Sequence, residues 1–159
     1  MNGAAVGFGA TIAALCDLVL ISDRAFIAEP HINVGLFLGD GIAVSWPLMM
    51  GLLKAKELIF TGKRISAYEA VSCGLANRVV EHERLLDEAR GLAHELARQP
   101  RDALRESKSL LNMYVRSNIE NVLSTLFERQ FERMQGAEHC AIVDGMIARK
   151  KRTCRENIG

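Results

Sequence analysis

The sequence is short of cysteine and histidine, and neither residue type occurs at a spacing typical of metal sites. The cysteines form no Cys-x-x-Cys pair and stand far apart, at Cys16, Cys73, Cys140 and Cys154. The histidines are equally scattered, at His31, His82, His94 and His139. The side chains of His139 and Cys140 diverge because the two residues are adjacent, so they make a poor ligand pair. We therefore expect reduced thiols in a cytoplasmic compartment and no metal site.

Long apolar runs and a strong net charge are also missing. Asp17, Asp23 and Arg24 interrupt the most apolar stretch, so no segment predicts a membrane span. No cationic leader precedes that stretch, and we expect no signal peptide. The net charge of +1 gives no reason to expect nucleic acid or an anionic membrane as a partner. The basic run at 149–152 is typical of a solvated helix end, although it would also suit a ligand phosphate.

The residues that are present predict one globular domain of mixed α/β structure. The chain has 159 residues, of which 49% are hydrophobic and 25% are charged, enough for a sizeable core. Gly7 and neighbouring glycines precede an apolar run, which predicts a turn leading into a helix. Short apolar runs at 18–21 and 25–28 predict two buried strands around a turn. A helix is expected over 42–50, with a bend at Pro47.

Local signals continue along the rest of the chain. Ser66 and Glu69 form a capping box, which predicts that a helix begins there. From Glu83 onward the apolar residues recur at helical spacing. We therefore divide the chain into a mixed core at 1–82 and a helical region at 83–159. The final helices would suit packing against a neighbouring subunit, and covering the chain's own core is an equal alternative.

Three segments together resemble the crotonase (enoyl-CoA hydratase/isomerase) superfamily. They are Asn2-Gly3-Ala4-Ala5-Val6-Gly7-Phe8-Gly9 with Cys16-Asp17, Leu58-Ile59-Phe60-Thr61-Gly62-Lys63-Arg64-Ile65-Ser66-Ala67 with Glu69-Ala70, and Gly74-Leu75-Ala76-Asn77-Arg78-Val79-Val80. The resemblance implies the C-terminal part of a crotonase-like ββα spiral core, followed by a helical trimerisation region. It also implies a homotrimer or hexamer. Sequence corresponding to the family's upstream adenine-binding segment is missing, and Met1 opens without a polar lead-in, so we expect an N-terminally truncated chain.

The resemblance also implies an oxyanion hole for a thioester enolate. One of its two backbone N–H donors would come from Phe8, beside Gly7, at the start of the glycine-turn helix. The family's second donor lies upstream. Coenzyme A would enter as part of the acyl-CoA substrate, with no separate cofactor.

This sequence departs from the family where hydratases carry two catalytic glutamates. Alignment of the motifs places Thr11 at the first position and His31 at the second. The Pro-His sequence and the Gly-Asp-Gly sequence at 39–41 resemble a crotonase subgroup that includes proteins labelled enoyl-CoA hydratases. They also resemble the β-diketone hydrolases of the 6-oxocamphor hydrolase type.

The resemblance therefore implies His31 and Asp40 as the catalytic pair, with Asp40 orienting the imidazole. An imidazole held by a carboxylate is a competent general base near neutral pH. The alternative is a structural histidine and a helix-capping aspartate. Glu29 and His31 would both line the site, because residues two apart on a strand share a face. Glu29 is therefore a candidate substrate-binding residue, together with Gly7 and Thr11.

Three functions remain open at this point. The first is a hydratase or isomerase, a lyase that stabilises an enolate with a His/Asp pair in place of two glutamates. The second is a C–C hydrolase of cyclic β-diketones, which needs no coenzyme A. The third is a crotonase-like subunit that assembles but has lost its chemistry.

Overall fold

The computed structural model describes residues 1–156, with all side chains in that range except those of residues 121, 123–125, 127–128 and 152–156. Cys154, one of the expected free thiols, and Arg152 of the basic run therefore have no described side chain. The first half contains five short strands with helices between some of them: β1 Ala5–Val6, β2 Leu20–Ser22, β3 Phe26–Ala28, β4 Arg64–Ser66 and β5 Arg78–Val80. Seven α-helices span the described range: α1 Phe8–Ala14, α2 Ile42–Met50, α3 Leu52–Thr61, α4 Ala67–Ser72, α5 Leu85–Ala97, α6 Arg101–Met134 and α7 Ala137–Glu156. Two 3₁₀ helices lie at His31–Val34 and His82–Arg84.

The strands form two small sheets rather than one. In the first sheet, β3 pairs in parallel with β1 and antiparallel with β4. In the second, β2 pairs in parallel with β5, so that Ile21 lies opposite Val79. The two strands expected around a turn are confirmed, but they belong to different sheets. The turn between them is tight, and the Ala25 N–H donates to the Ser22 carbonyl at 2.9 Å.

Glycine and serine set the ends of the helices in the first half. Gly7 has a φ of 53° directly before α1, and Gly62 has a φ of 57° at the end of α3. Both values lie in the left-handed region that favours glycine. The Ser66 Oγ accepts a hydrogen bond from the Glu69 N–H at 3.2 Å, which confirms the predicted cap of α4.

Pro47 does not end α2, so the bend expected there leaves the helix intact to Met50. Proline removes one backbone N–H donor from the helix. The helix resumes beyond it, since the Gly51 N–H donates to the Pro47 carbonyl at 3.0 Å. Ile42 and Trp46, which both precede the proline, are buried and anchor the first part of α2 in the core.

The main core contains residues of both sheets and of the helices that pack on them. Ile21, Ile27, Trp46, Leu58 and Ile65 are nearly inaccessible to solvent within it. Each such side chain stabilises the fold by about 1.5–3 kcal/mol relative to an exposed one.

The C-terminal helices use only part of their apolar surface within this chain. Helix α5 packs against the second sheet through Leu85, Ala89 and Leu92. Helix α6 crosses α2, and α7 contacts the 3₁₀ helix His31–Val34. Many large apolar side chains on α6 stay exposed, among them Leu104, Leu110, Leu111, Met113, Tyr114 and Phe131. Only helices follow β5 in the described range, while the division into a core at 1–82 and a helical region at 83–159 stays a prediction. Among the described helices, none has the length and hydrophobicity that a membrane span requires.

Candidate functional site

The site is built where β3, the central strand of the first sheet, ends and the chain turns at Pro30. Glu29 follows the strand and its side chain is fully buried, with 0% exposed. The chain then enters the 3₁₀ helix that begins at His31. The His31 N–H donates to Glu29 Oε1 at 3.1 Å, and the imidazole Nδ1 donates to the same oxygen. The sequence predicted that Glu29 and His31 lie on the same side because both belong to a strand. Their proximity instead comes from the turn.

The Glu29 carboxylate controls the charge of His31. Its hydrogen bond to the ring, and then the negative charges of Glu29 and Asp40, raise the pKa of His31 above the usual value of an imidazole. Partial burial of the ring acts in the opposite direction. The side chain of His31 keeps 18% of its surface exposed, so the ring is accessible from the surface.

Asp40 lies close to this pair but does not hold the imidazole. The nitrogen and oxygen atoms of Glu29, His31 and Asp40 that could bind a metal lie within 4.8 Å of one another. Asp40 Oδ1 accepts only a long hydrogen bond from the Ile42 N–H, at 3.5 Å. Its Oδ2 is buried and has no partner among the described residues. The carboxylate that orients His31 is thus Glu29, and Asp40 makes only a weak contact with the start of α2.

The start of α1 forms the second wall of the site. A Cβ atom on Gly7 would lie 3.8 Å from His31 Cε1, which places Gly7 beside the imidazole. The Gly7 carbonyl accepts from the N–H groups of Ala10 and Thr11 at 2.8 and 3.1 Å. Within residues 1–156, the Phe8 N–H has no hydrogen-bond acceptor, and it is free to donate to a ligand.

Thr11 closes the site from inside α1. Its side chain is buried, and its methyl group lies 3.5 Å from where a Cβ on Gly41 would stand. Its Oγ1 has no partner within the described part of the chain. The structure therefore brings all six predicted residues to one place, where α1, the end of β3 and the start of α2 meet: Gly7, Phe8, Thr11, Glu29, His31 and Asp40.

Two carboxylates and one imidazole at this separation are a donor set that a divalent cation could use. A cation there would take the place of the hydrogen bond between His31 and Glu29. The absence of a metal from the site stays a prediction.

Two residues of the C-terminal helices that no sequence signal indicated also reach this region. The His139 Nδ1 donates to the Val34 carbonyl at 2.6 Å, at the end of the 3₁₀ helix that carries His31. The side chain of Gln130 lies against Gly39, directly before Asp40. Each of the two residues lies more than 90 positions from its partner in the sequence, so local sequence patterns could not indicate these contacts.

A groove in the described part of the chain lies away from this site. It has a volume of about 660 Å³ and is bordered by β2 and α5, with Leu20, Leu85 and Leu92 among its lining residues. None of the six predicted residues lines it.

Comparison with known proteins identifies the family of this arrangement. A family profile described as enoyl-CoA hydratase/isomerase matches residues 1–153. A short-chain-enoyl-CoA hydratase from Clostridioides difficile is 37% identical over 130 residues, which cover 80% of this chain and 83% of the relative. A protein of the same name from Clostridium acetobutylicum is 33% identical over 124 residues, which cover 78% of this chain and 48% of the relative. The chain thus spans about half the length of that second relative.

Solved structures agree with this match. An enoyl-CoA hydratase/isomerase from Mycobacterium paratuberculosis superimposes with a TM-score of 0.85 at 36% identity, covering 91% of this chain and 57% of the other. One from Pseudoalteromonas atlantica T6c gives a TM-score of 0.88 at 28% identity, covering 94% of this chain and 60% of the other. The expected α/β fold of the crotonase type is confirmed. The chain belongs to the enoyl-CoA hydratase/isomerase family, within the crotonase superfamily.

Proposed function

We propose that this chain forms the proton-transfer site of an enzyme that acts on an acyl-CoA thioester. The observation that supports the proposal most strongly is the buried Glu29 carboxylate bonded to the His31 imidazole, beside Gly7 at the start of α1. In this proposal His31 is the general base, Glu29 orients it, and Asp40 helps to hold the water that reacts.

The Glu29 contact prepares the imidazole for proton transfer. Since Nδ1 donates to the carboxylate, the neutral ring carries its lone pair on Nε2. That nitrogen can accept a proton, and the carboxylate then stabilises the imidazolium. The imidazole therefore takes the place that a catalytic glutamate has in the family's hydratases.

Two unpaired carboxylate oxygens support a bound water molecule near the imidazole. Glu29 Oε2 and Asp40 Oδ2 are buried acceptors without a partner in the described residues. Leaving such atoms unpaired costs about 1–3 kcal/mol each, so both favour a ligand with hydrogen-bond donors. A water molecule can donate one O–H to such an oxygen and keep the other O–H for the Nε2 of His31.

Hydration would then proceed in two balanced steps. The His31 Nε2 takes a proton from water while the water oxygen bonds to the β-carbon of the enoyl thioester. The electron pair of the double bond moves to the thioester oxygen, where the Phe8 N–H stabilises the enolate. The imidazolium then returns a proton to the α-carbon. The result is the addition of one water molecule.

The test is an assay of the purified chain against two substrate classes. We expect loss of the conjugated enoyl absorbance with short trans-2-enoyl-CoA thioesters, crotonyl-CoA among them. Turnover of a cyclic β-diketone instead of these thioesters would assign the chain to the C–C hydrolases. Titration calorimetry with acyl-CoA completes the test. If the chain neither binds acyl-CoA nor turns over either substrate, the non-catalytic subunit is the function that remains.

Coenzyme A, cellular location and assembly belong to the same proposal. Coenzyme A is a part of the substrate and no separate cofactor takes part. The protein works in the cytoplasm, and it assembles as a homotrimer or hexamer. The exposed apolar side chains of α6 support assembly, because large apolar patches on a protein surface mark interaction sites.

A further inference from the structure

We propose that His139 is a positioning residue, which fixes His31 against Glu29 by holding the 3₁₀ helix from the C-terminal region. The inference concerns one hydrogen bond, from the His139 Nδ1 to the Val34 carbonyl at 2.6 Å, across 105 positions of sequence. It extends the function proposed above, because it gives helix α7 a part in the site.

The 3₁₀ helix that carries His31 lies near the surface and is held by its neighbours. On one side the Asn33 Nδ2 donates to the Gly62 carbonyl at the end of α3, at 3.1 Å, and on the other side α7 contacts it. It contains only four residues, and none of them is buried. Its C-terminal carbonyl groups have no further turn to bond them, as at the end of any helix. The Gly35 N–H donates to the Ile32 carbonyl and the Leu36 N–H donates to the His31 carbonyl, whereas Val34 receives its bond from α7.

Close packing supports the same contact. Gly35 has a φ of 69°, and a Cβ there would lie 3.4 Å from the backbone N and Cα of His139 and 3.2 Å from Ile142. Helix α7 therefore approaches the end of the 3₁₀ helix at a distance that only glycine permits without adjustment. The His139 bond fixes the helix at this point of approach.

A second contact from the C-terminal region supports the neighbouring loop. The side chain of Gln130 on α6 lies against Gly39, where a Cβ would come within 2.5 Å of it. The segment 29–41 is thus contacted at two points. His139 contacts it at Val34, close to His31, and Gln130 contacts it at Gly39, next to Asp40. Since these two residues have no described contact with the catalytic groups themselves, their effect acts through the backbone.

A matched pair of variants tests the role of His139. Asn places its Nδ2 as far along the side chain as the His Nδ1, so His139→Asn keeps a donor for Val34. His139→Leu fills a similar volume without a donor. Glu138→Gln is the control, because Glu138 is an exposed residue of the same turn that pairs with Arg133 and not with the 3₁₀ helix.

Two measurements that need no substrate show the outcome. Amide hydrogen exchange of residues 29–41 should accelerate in His139→Leu and stay at the parent rate in His139→Asn and Glu138→Gln. The NMR titration of the His31 imidazole, which faces Glu29 and Asp40, should move toward the ordinary value of about 6.5 in the leucine variant only. The other histidines serve as internal references.

Parent-like exchange and an unchanged His31 titration in the leucine variant would overturn the proposal. So would an asparagine variant that behaves as the leucine variant does. If His139→Leu fails to fold, the asparagine variant alone decides. A folded asparagine variant with an altered His31 titration would also overturn the proposal. The contact between His139 and the 3₁₀ helix can be tested whether or not His31 is catalytic. Its importance for activity rests on the function proposed above. A chain without turnover would refute the proposed function and leave these measurements unaffected.

Discussion

The buried carboxylate of Glu29 determines the properties of the residues around it. A charged group without solvent costs several kcal/mol unless it is paired and hydrogen-bonded. Glu29 Oε1 accepts hydrogen bonds from both the backbone N–H and the ring Nδ1 of His31. The other oxygen has no partner within the described residues. Such an incompletely satisfied buried carboxylate is typical of a functional site rather than of a purely structural one.

Replacement of the proposed base tests the mechanism directly. His31→Ala should lower turnover of the enoyl thioester by about 10²–10⁴-fold, the contribution of a general base. Asp40→Ala should also lower it, since one acceptor for the water is lost. Steady-state kinetics measure both effects, and His94→Ala on the exposed side of α5 is the control. Turnover that stays unchanged in both site variants would refute the mechanism.

The raised pKa of His31 predicts how activity depends on pH. Only the neutral imidazole accepts a proton, so kcat/KM should increase as pH rises through the pKa of His31. Because the hydrogen bond to Glu29 raises that pKa, the inflection should lie above the ordinary value of about 6.5. Glu29→Gln removes the charge and should move the inflection to lower pH. An inflection that is equal in the two proteins would show that Glu29 does not set the pKa.

The same pKa predicts a pH dependence of stability. A histidine whose pKa is higher in the folded state stabilises the fold fully below its unfolded pKa, and this contribution disappears as pH rises through the folded pKa. The difference in unfolding free energy between the parent and His31→Gln should therefore shrink from about pH 6 upward. Urea titrations at several pH values measure it. A difference that grows with pH would contradict the raised pKa.

Part of the site could be predicted from the sequence and part could not. The resemblance to the family selected Gly7 and His31, and the structure places Gly7 beside the imidazole, while the catalytic roles stay predictions. The partner of His31 was different from the one expected. The turn at Pro30 brings Glu29 onto the ring, and a turn geometry of this kind is not encoded in residue spacing alone.

At the level of elements, the cap of α4 gives the clearest quantitative prediction. Ser66→Ala removes the acceptor of the Glu69 N–H and should lower the free energy of unfolding by about 1 kcal/mol. Ser66→Asp retains an acceptor at the same position and serves as the matched control. Urea denaturation compares both variants with the parent. Equal stability of the alanine and aspartate variants would show that the cap has no net effect.

The elements that were predicted well have a strong local signal. Gly62 ends α3 with a left-handed φ, and Pro100 stands directly before α6, where the lack of an N–H costs nothing. Sheet membership has no such signal. Strands β2 and β3 follow each other in sequence, but β2 pairs with β5, whereas β3 pairs with β1 and β4. These partners are distant in sequence, so the tertiary fold determines the pairing. The persistence of α2 beyond Pro47, where the Gly51 N–H donates to the Pro47 carbonyl, has no such signal either.

At the scale of the molecule, the long helix α6 serves two surfaces. Its 34 residues extend about 51 Å at 1.5 Å per residue, further than the contact with α2 requires. One part supports the site through Gln130. The other part presents large apolar side chains to solvent, a pattern that an isolated chain would not favour.

The assembly that this surface predicts can be tested by its disruption. Leu110, Leu111 and Tyr114 are 65%, 67% and 70% exposed, and Leu110 and Tyr114 are one helical turn apart. We expect the parent chain to sediment as a trimer or hexamer. Leu111→Glu combined with Tyr114→Glu should give a smaller species, because charged groups are costly to bury in a subunit interface.

Sedimentation equilibrium measures the species, and circular dichroism verifies that the helices persist. Gln99→Glu adds a negative charge at an exposed position outside the apolar patch and should leave the assembly unchanged. A monomeric parent would contradict the predicted assembly, and an intact assembly in the double variant would place the interface elsewhere. If the double variant dissociates while His31 titrates as in the parent, the site is formed within one chain and assembly serves another purpose. A His31 titration that changes on dissociation would instead show that neighbouring subunits hold α6 and α7 in the position that the site requires.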